Sequence, residues 1–159
     1  MRTSVLNTVL AVALVVGTAC KGPDASNDDF DHYTGFARGA NVVPALTDTT
    51  PTGSAGITTN TTANTVGFTF SASGMPGTLD SVALYQIGAG ATLPANATAI
   101  LCAGAAACTT TSGTATLVGT ATATTIRTSA RGYGTQVVFF TTTTRAAGAA
   151  RGTLYPNPQ

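Results

Sequence analysis

The sequence predicts a single all-β domain, an antiparallel Greek-key β-sandwich or barrel of about seven or eight strands. About a fifth of the residues are threonine and valine is abundant, and both are stiff at the β-carbon and suit a pleated sheet. Charged residues make up only 8% of the chain, glutamate is absent and Lys21 is the only lysine, so strong helix formers are scarce. From Phe36 onward, short apolar or threonine-rich runs alternate with turn signals.

The N-terminal segment has the order of features of a secretory signal. Arg2 is followed by the mostly apolar, uncharged run 5–16 and then by the small residues Gly17, Thr18 and Ala19. The apolar run is shorter than the roughly 20 residues that a transmembrane helix needs. We therefore expect residues 1–19 to be a signal peptide that directs the protein out of the cytoplasm.

Cys20 follows Ala19 directly, and this junction resembles the lipobox of bacterial lipoproteins, in which the signal peptidase cleaves before a cysteine that carries lipid. The family usually has leucine three residues before the cysteine, where this chain has Gly17. The resemblance implies lipidation of Cys20 and a stable membrane anchor, because two or more acyl chains hold a protein firmly. The alternative is an ordinary signal peptide cleaved near Ala19, which leaves Cys20 a free thiol in a secreted protein.

Residues 20–35 predict a flexible acidic spacer between the anchor and the domain. Its charged residues are Lys21, Asp24, Asp28, Asp29 and Asp31, and it also contains His32, the only histidine. We expect His32 to be a solvated linker residue. The aspartates lack the spacing of a calcium loop, so we expect them to be solvated too.

The domain itself is predicted to span residues 36–159. Its predicted strands are 65–72, 81–87, 97–101, 114–120, 135–141 and 151–155, each bounded by turn residues or a short loop. Residues 121–131 are the only stretch for which a short helix is plausible. No repeat of fixed period is visible, so a solenoid is not expected.

Cys102 and Cys108 form the cysteine pair that remains once Cys20 is assigned to the lipid anchor. They flank five small residues that could close a tight loop, and a disulfide there would stabilise the fold by about 2 kcal/mol. Zinc binding is disfavoured because two thiolates with no nearby histidine cannot complete a tetrahedral site.

No catalytic set can be assembled from the residues of the predicted domain. It offers no Ser/His/Asp or Cys/His combination, and Asp48 and Asp80 are far apart in sequence. We therefore expect no enzymatic activity, no catalytic residue, no cofactor and no metal. A net charge of +1 also argues against a nucleic-acid partner.

Three surface patterns could serve binding. Threonines at alternate positions, 114 and 116 and then 120, 122 and 124, could line one strand face and meet carbohydrate, a mineral or ice. Tyr85, Tyr133 and Tyr155 could stack on sugar rings if they cluster outside the core. The arginines could form an anion-binding face: Arg38, Arg127, Arg131, Arg145 and Arg151. Of these patterns we expect the plainer interpretations: a solvent face of good strand formers for the threonines, core or edge positions for the tyrosines and a structural role for Arg151.

Several segments resemble the CHRD domain, a family named for its occurrence in chordin and also found in bacterial secreted proteins. The resemblance covers most of 36–154 and rests on Gly39-Ala40-Asn41-Val42-Val43-Pro44, Thr52-Gly53-Ser54-Ala55, the strand from Val66 to Met75, and Ala149-Ala150-Arg151-Gly152-Thr153-Leu154. It implies a β-sandwich and a structural position for Arg151 in the closing strand.

The chain departs from that family at its histidines, which in related domains suggest a metal site like that of copper/zinc superoxide dismutases. The family's central His-apolar-His pair corresponds to Leu84 and Gln86, and a later histidine corresponds to Phe140. The family's glutamates correspond to Val42 and Ala149. The resemblance thus implies a degenerate member that has lost the site.

The sequence therefore predicts a non-catalytic, lipid-anchored or secreted module of the cell envelope with a binding or structural role. Its expected partners are the membrane, through the Cys20 lipid, and an envelope protein or glycan. Its expected location is extracytoplasmic: the periplasm, the outer membrane, the cell surface or the medium. The alternative is a metal-binding or superoxide-dismutase-like protein with a degenerate site.

Overall fold

Nine antiparallel strands form one nearly closed, barrel-like sheet in the structure, a computed structural model that describes residues 30–44, 50–144 and 148–157. The strands are β1 (Phe30–Arg38), β2 (Thr52–Asn60), β3 (Thr65–Ser73), β4 (Leu79–Gln86), β5 (Ala99–Ala103), β6 (Ser112–Thr114), β7 (Thr116–Leu117), β8 (Thr135–Thr141) and β9 (Ala150–Pro156). One α-helix, α1 (Ala123–Arg131), and 3₁₀ turns at Gly39–Asn41 and Ala107–Thr109 complete the described elements. The all-β class predicted from the sequence is confirmed, with slightly more strands than expected.

The order of strands in the sheet is β6-β3-β2-β1-β9-β8-β4-β5-β7. The two edge strands are consecutive in sequence and are separated only by Ala115. The Ala115 N–H donates to the Val66 carbonyl at 2.8 Å on one side, and the Val118 N–H donates to the Thr98 carbonyl at 3.0 Å on the other. One short segment therefore pairs with both edges of the sheet and nearly closes it.

Two predicted boundaries are wrong in this region and at the start of the sheet. The predicted strand 114–120 is split at Ala115, because β6 pairs with β3 whereas β7 pairs with β5. The predicted spacer, residues 20–35, ends earlier than expected, because Phe30 already pairs with Asn60 in β2. The signal peptide 1–19, Cys20 and the spacer as far as residue 29 lie outside the described residues.

β1 belongs to the sheet because its side chains alternate between core and solvent. Tyr33 and Ala37 are buried in the main core, whereas Phe36 is exposed. β1 pairs with β2 on one side and with β9 on the other. The polar residues at the start of β1 are typical of a linker, and for this reason the sequence predicts a spacer there. Burial at every second position is nevertheless the pattern of a strand.

The barrel interior is packed around aromatic side chains from β3 and β8. Phe68 stacks on Phe70 at 5.8 Å between ring centroids, and Phe70 meets Phe139 edge-on at 6.1 Å. Gly53 is required beside Phe139, since a β-carbon there would lie 2.7 Å from the ring.

The outside of the barrel is covered on one side and bare on the other. On the β4–β8 side, Val138 and Phe140 form a second apolar cluster, over which Leu93 and Ala97 of the β4–β5 connection pack. On the β1–β2–β3 side the outward residues are mainly threonine, serine and glycine, and those of β3 are exposed apart from the half-buried Gly67.

α1 lies across one end of the barrel. Ala123, Ile126 and Ala130 are buried at helical spacing, and the helix contacts β2, β8 and β9. Thr122 and Thr125 form a reciprocal capping box at its start, and the Ala123 N–H donates to Asn64 Oδ1 at 2.8 Å. Among the described residues, no helix combines the length and apolarity that a membrane span requires.

Candidate functional site

A cleft of about 400 Å³ opens on the bare outer face of the sheet. β1, β2, β3 and β6 form its walls, and Asn157, after β9, lies at its rim. The residues that line it are His32, Tyr33, Thr34, Gly56, Ile57, Thr58, Gly67, Phe68, Thr69, Gly113 and Asn157. The set contains neither an acidic residue nor a lysine or arginine.

Missing side chains create the hollow. Gly56 pairs with Thr69, and Gly67 pairs with Thr58, so a glycine and a threonine alternate across β2 and β3. Successive side chains of a strand point to opposite faces of the sheet, whereas directly paired residues of neighbouring strands point to the same face. These four positions therefore all lie on the outer face. The glycines leave the backbone bare between two hydroxyl groups, which gives a shallow polar cleft.

Polar side chains and backbone groups hold the rim in place. Thr58 Oγ1 and His32 Nδ1 lie 3.1 Å apart and share a hydrogen bond. The Asn157 N–H donates to the His32 carbonyl at 2.8 Å. His32, expected to be a solvated linker residue, is thus a partly buried residue of β1 in the cleft wall. That expectation is wrong, because β1 begins at Phe30.

Exposed aromatic side chains lie beside the cleft. Among the described residues, the exposed large hydrophobic side chains are Phe36, Tyr133 and Tyr155, which are 69%, 55% and 54% exposed. Tyr133 and Tyr155 contact each other at 5.5 Å between ring centroids. Tyr155 pairs across the sheet with Thr34, a residue of the cleft, and Phe36 lies two residues from Thr34 on the same face of β1. The aromatic surface and the cleft are therefore continuous.

Tyr133 holds its position in an unfavourable backbone conformation. It has φ 58° and follows the last turn of α1. The Tyr133 N–H donates to the Ala130 carbonyl at 3.0 Å, and the Gly134 N–H donates to the Ser129 carbonyl at 2.8 Å. This is the Schellman arrangement, in which the left-handed position usually carries glycine. Here glycine stands on both sides, and the left-handed position carries an exposed tyrosine.

Asp31 links β1 to α1 at the same end of the barrel. Its carboxylate accepts hydrogen bonds from Arg131 Nε at 2.7 Å, from Arg127 Nε at 2.9 Å and from the Tyr33 hydroxyl at 2.7 Å. Burial alone raises the pKa of Asp31, but the hydrogen bonds from Arg131, Tyr33 and Arg127 outweigh burial and lower it to about 2. Burial and the adjacent Asp31 raise the pKa of Tyr33. The expectation that Asp31 is a solvated charge is therefore wrong.

The spacing of the arginines could have revealed this network. Arg127 and Arg131 are four residues apart on the predicted helix, so they lie on one face, where their like charges repel and an anionic partner is favourable. Because both arginines donate to the Asp31 carboxylate, this pair does not form the anion-binding face that the sequence allows.

Arg151 is a buried structural residue. It is 1% exposed on the outward face of β9, where its guanidinium donates to Gln136 Oε1 and lies 3.4 Å from the Gly88 carbonyl. Burial lowers its pKa. Its Nη1 atom has no hydrogen-bond partner among the described residues. The exposed Arg38 pairs with it across the sheet, and Arg145 lies outside the described residues.

The row of threonines that the sequence allows as a binding surface does not form. Thr114 and Thr116 pair with different strands, and Thr122 and Thr124 belong to the start of α1. A different set of hydroxyl groups lies on the bare face instead, of which Ser54 and Ser71 are hydrogen-bonded at 2.8 Å. The sequence showed no sign of this set because it is assembled from three strands.

The tyrosine platform that the sequence allows forms in part, although we expected core or edge positions for these residues. Tyr133 and Tyr155 cluster on the exterior, whereas Tyr85 packs against Phe140 in the second apolar cluster at 6.1 Å between ring centroids. Burial raises the pKa of Tyr85. The two exposed tyrosines come from the α1–β8 turn and from β9.

The positions that the resemblance to the CHRD domain would assign to histidines do not lie together. Leu84 is buried in the main core, Phe140 lies in the cluster on the opposite face of the sheet, and Gln86 is exposed and donates to the Thr125 carbonyl at 2.9 Å. Val42 and Ala149 are buried. The described residues contain no group of three or more histidine, cysteine or acidic side chains that could hold a metal.

Cys102 and Cys108 form the expected disulfide, which ties β5 to the Ala107–Thr109 turn. Both cysteines are buried. Asp80 lies in β4, and the other aspartates considered as candidates, Asp28, Asp29 and Asp48, lie outside the described residues. Comparison of the chain with protein-family models, with curated proteins and with solved structures finds no match.

Proposed function

We propose that this chain is an exported, non-catalytic binding module of the cell envelope, anchored through a lipid on Cys20, and that the outer cleft is its binding surface. The observation that carries the proposal is the continuity of the 400 Å³ cleft with the exposed aromatic surface around Tyr155. Ligand sites in proteins are concave, have volumes of roughly 300–1,000 Å³ and combine aromatic or apolar contacts with a few polar groups that orient the ligand. Exposed apolar groups gathered on one side of a molecule are typical of interaction sites.

Two features support an extracytoplasmic location. The order of residues in 1–19 is that of a secretory signal. The Cys102–Cys108 disulfide is typical of proteins that reside in an oxidising compartment.

The anchor and the cleft are close along the chain. Phe30 begins β1 ten residues after Cys20, and a chain of that length reaches at most about 35 Å. β1 begins at the end of the barrel that α1 covers, where Asp31 contacts that helix. An anchored domain would therefore keep its cleft near the membrane surface, within reach of envelope material.

The metal-dependent alternative receives less support from the geometry. A dismutase-like site requires the positions of Leu84 and Phe140 to converge, but these residues lie on opposite faces of the sheet. Measurement of copper and zinc in the purified chain tests this alternative directly, and a stoichiometric metal would favour it over the binding module.

The lipid anchor is tested by intact mass. The full chain is expressed in a bacterial host, extracted from membranes and compared with Cys20→Ala. We expect the wild-type protein to have the mass of residues 20–159 plus that of the lipid, and Cys20→Ala, which has no cysteine to modify, to carry no lipid mass. Masses that differ only by the substitution would contradict anchoring and leave a secreted module.

The cleft is tested with a variant that fills it. At Gly67 an added β-carbon meets its neighbours no closer than 3.8 Å, so Gly67→Thr fills the hollow with a good strand former and little strain. Gly88→Thr is the matched control, because nothing lies within 4 Å of a β-carbon at Gly88. Co-sedimentation with isolated cell envelopes should fall about tenfold for Gly67→Thr and stay unchanged for Gly88→Thr.

Equal co-sedimentation of the two variants and the wild type, with thermal unfolding unchanged, would reject the cleft as the binding surface. Absence of any co-sedimentation by the wild-type chain would reject the binding module itself. Thermal unfolding of each variant shows whether a loss of binding reflects loss of the fold.

A further inference from the structure

We infer that the cleft and the aromatic surface beside it together bind an uncharged saccharide. The inference rests on the proposed binding function and specifies the chemical class of the ligand. In this arrangement, Tyr155 and Tyr133 stack on the face of a sugar ring, and the hydroxyl, imidazole and amide groups of the cleft bind the hydroxyls of the next unit.

The charge of the site favours a neutral ligand. The side chains that line the cleft include no acidic residue, lysine or arginine. The nearest charged cluster, Asp31 with Arg127 and Arg131, is satisfied internally by hydrogen bonds of 2.7–2.9 Å. A ligand with a formal charge would find no counter-charge in the cleft and would lose hydration on entering it.

The polar groups of the site suit a polyol. Threonine hydroxyls donate and accept, as do sugar hydroxyls, and the hollow over Gly56 and Gly67 brings the ligand close to Thr58 and Thr69. His32 and Asn157 add a ring nitrogen and an amide at the rim. Nδ1 of His32 already shares a hydrogen bond with Thr58 Oγ1, so Nε2 is the ring nitrogen that is left for a sugar hydroxyl.

The aromatic pair supplies the apolar part of the contact. The face of an aromatic ring is electron-rich and attracts the weakly positive C–H groups on the face of a pyranose. Tyr133 and Tyr155 are tilted by 51° to each other, so a sugar can stack on one ring and rest against the other. Thr34, directly across the sheet from Tyr155, leads from this pair into the cleft.

The backbone of Tyr133 provides an independent observation. A non-glycine residue in the left-handed region is strained, and retained strain is concentrated at functional positions. The sequence has glycine immediately before and after this position, but places an exposed aromatic ring on the strained one. The stability of the fold does not favour tyrosine over glycine at position 133, whereas the presentation of an aromatic ring to a ligand does.

The test uses the full chain and defined oligosaccharides. Isothermal titration is carried out with hexasaccharides of β-1,4-linked glucose, of β-1,4-linked N-acetylglucosamine and of α-1,4-linked glucose, and with a galacturonate hexasaccharide as the charged counterpart. We expect at least one neutral hexasaccharide to bind, and the galacturonate to bind about tenfold more weakly or not at all.

Three variants locate the binding. Tyr155→Ala and Tyr133→Gly should each weaken the neutral ligand about tenfold, and Gly67→Thr should abolish its binding. Gly88→Thr serves as the control and should bind as the wild type does. Tyr133→Gly suits the local backbone, so its effect on binding can be measured in a folded protein.

The outcomes separate this inference from the proposed function. Envelope binding that requires the cleft but is destroyed by protease treatment of the envelopes, with no binding of any neutral hexasaccharide, would reject the saccharide in favour of a protein partner. Binding of galacturonate in preference to the neutral sugars would also overturn it. Concentration-dependent dimerisation that Gly67→Thr abolishes, without sugar binding, would assign the face to a second copy of the chain.

Discussion

Individual residues at the α1 end of the barrel decide what this molecule presents to its surroundings. Tyr133 occupies a left-handed position that glycine would fill at lower cost, and its ring is exposed beside Tyr155. Arg151, in contrast, is buried under the β4–β5 connection, and one nitrogen of its guanidinium has no hydrogen-bond partner among the described residues. The exposure of the Tyr133 ring has a functional explanation, whereas the burial of Arg151 is part of the packing of β9.

Tyr133→Gly should separate stability from binding at this residue. Glycine relieves the strain of the left-handed backbone but loses the contact with Tyr155, so we expect the free energy of unfolding to be unchanged or raised by up to about 1 kcal/mol. Urea unfolding measures the effect. A loss of more than about 1 kcal/mol would assign the Tyr133 ring a structural role and would remove the strain argument for binding.

At the scale of elements, α1 is attached to the barrel by its buried face and by Asp31. The helix buries Ala123, Ile126 and Ala130, and the carboxylate of β1 holds both arginines of its exposed side. Because Tyr133 ends α1, this attachment also positions the aromatic pair. The loss of Asp31 should therefore affect both the stability of the fold and the geometry of the site.

Asp31→Asn should destabilise the protein by about 1–3 kcal/mol near neutral pH, since two arginines lose a charged acceptor that is partly buried. The pKa of Asp31 is about 2 in the folded protein, below its ordinary 3.8, so its contribution is full above about pH 4. The contribution is lost as the pH falls through about 2. Urea unfolding between pH 7 and pH 2 should show the wild-type and variant stabilities converging at the acid end.

The double variant Asp31→Asn with Arg127→Gln provides the control for this prediction. If the two residues act through one network, the double variant should lose less stability than the sum of the single variants. Wild-type and Asp31→Asn curves that remain parallel down to pH 2 would contradict the assigned hydrogen bonds.

At the scale of the whole molecule, the sequence was sufficient for the class of fold but not for its closure. β3, β4, β8 and β9 could be predicted because each has a run of strand-forming residues bounded by turns. β1 could not, because Asp31 and His32 resemble linker residues until their partners in α1 and β2 are known. β2 contains Gly53 and Gly56, where a β-carbon would collide with the side chains of Phe139 and Thr69 on other strands. The reason for these glycines therefore cannot be read from β2 alone.

The candidate site could be predicted only in fragments, for the same physical reason. Tyr133 and Tyr155 were recognisable as possible sugar-stacking residues, but their contact depends on the pairing of β9 with β1 and on the turn after α1. The cleft depends on glycines of two strands standing diagonally opposite each other, which is a property of register. Long-range pairing therefore creates the surface that the sequence could only suggest.

The most direct test of the account is the mapping of a bound oligosaccharide by backbone amide NMR shifts in the full chain. The account predicts that the neutral hexasaccharide that binds in titration shifts the amides of His32, Thr34, Thr58, Gly67, Tyr133 and Tyr155, and that Gly67→Thr removes these shifts. Shifts confined to the opposite end of the barrel, around Gly104 and Thr142, or an absence of shifts with every neutral hexasaccharide, would contradict it.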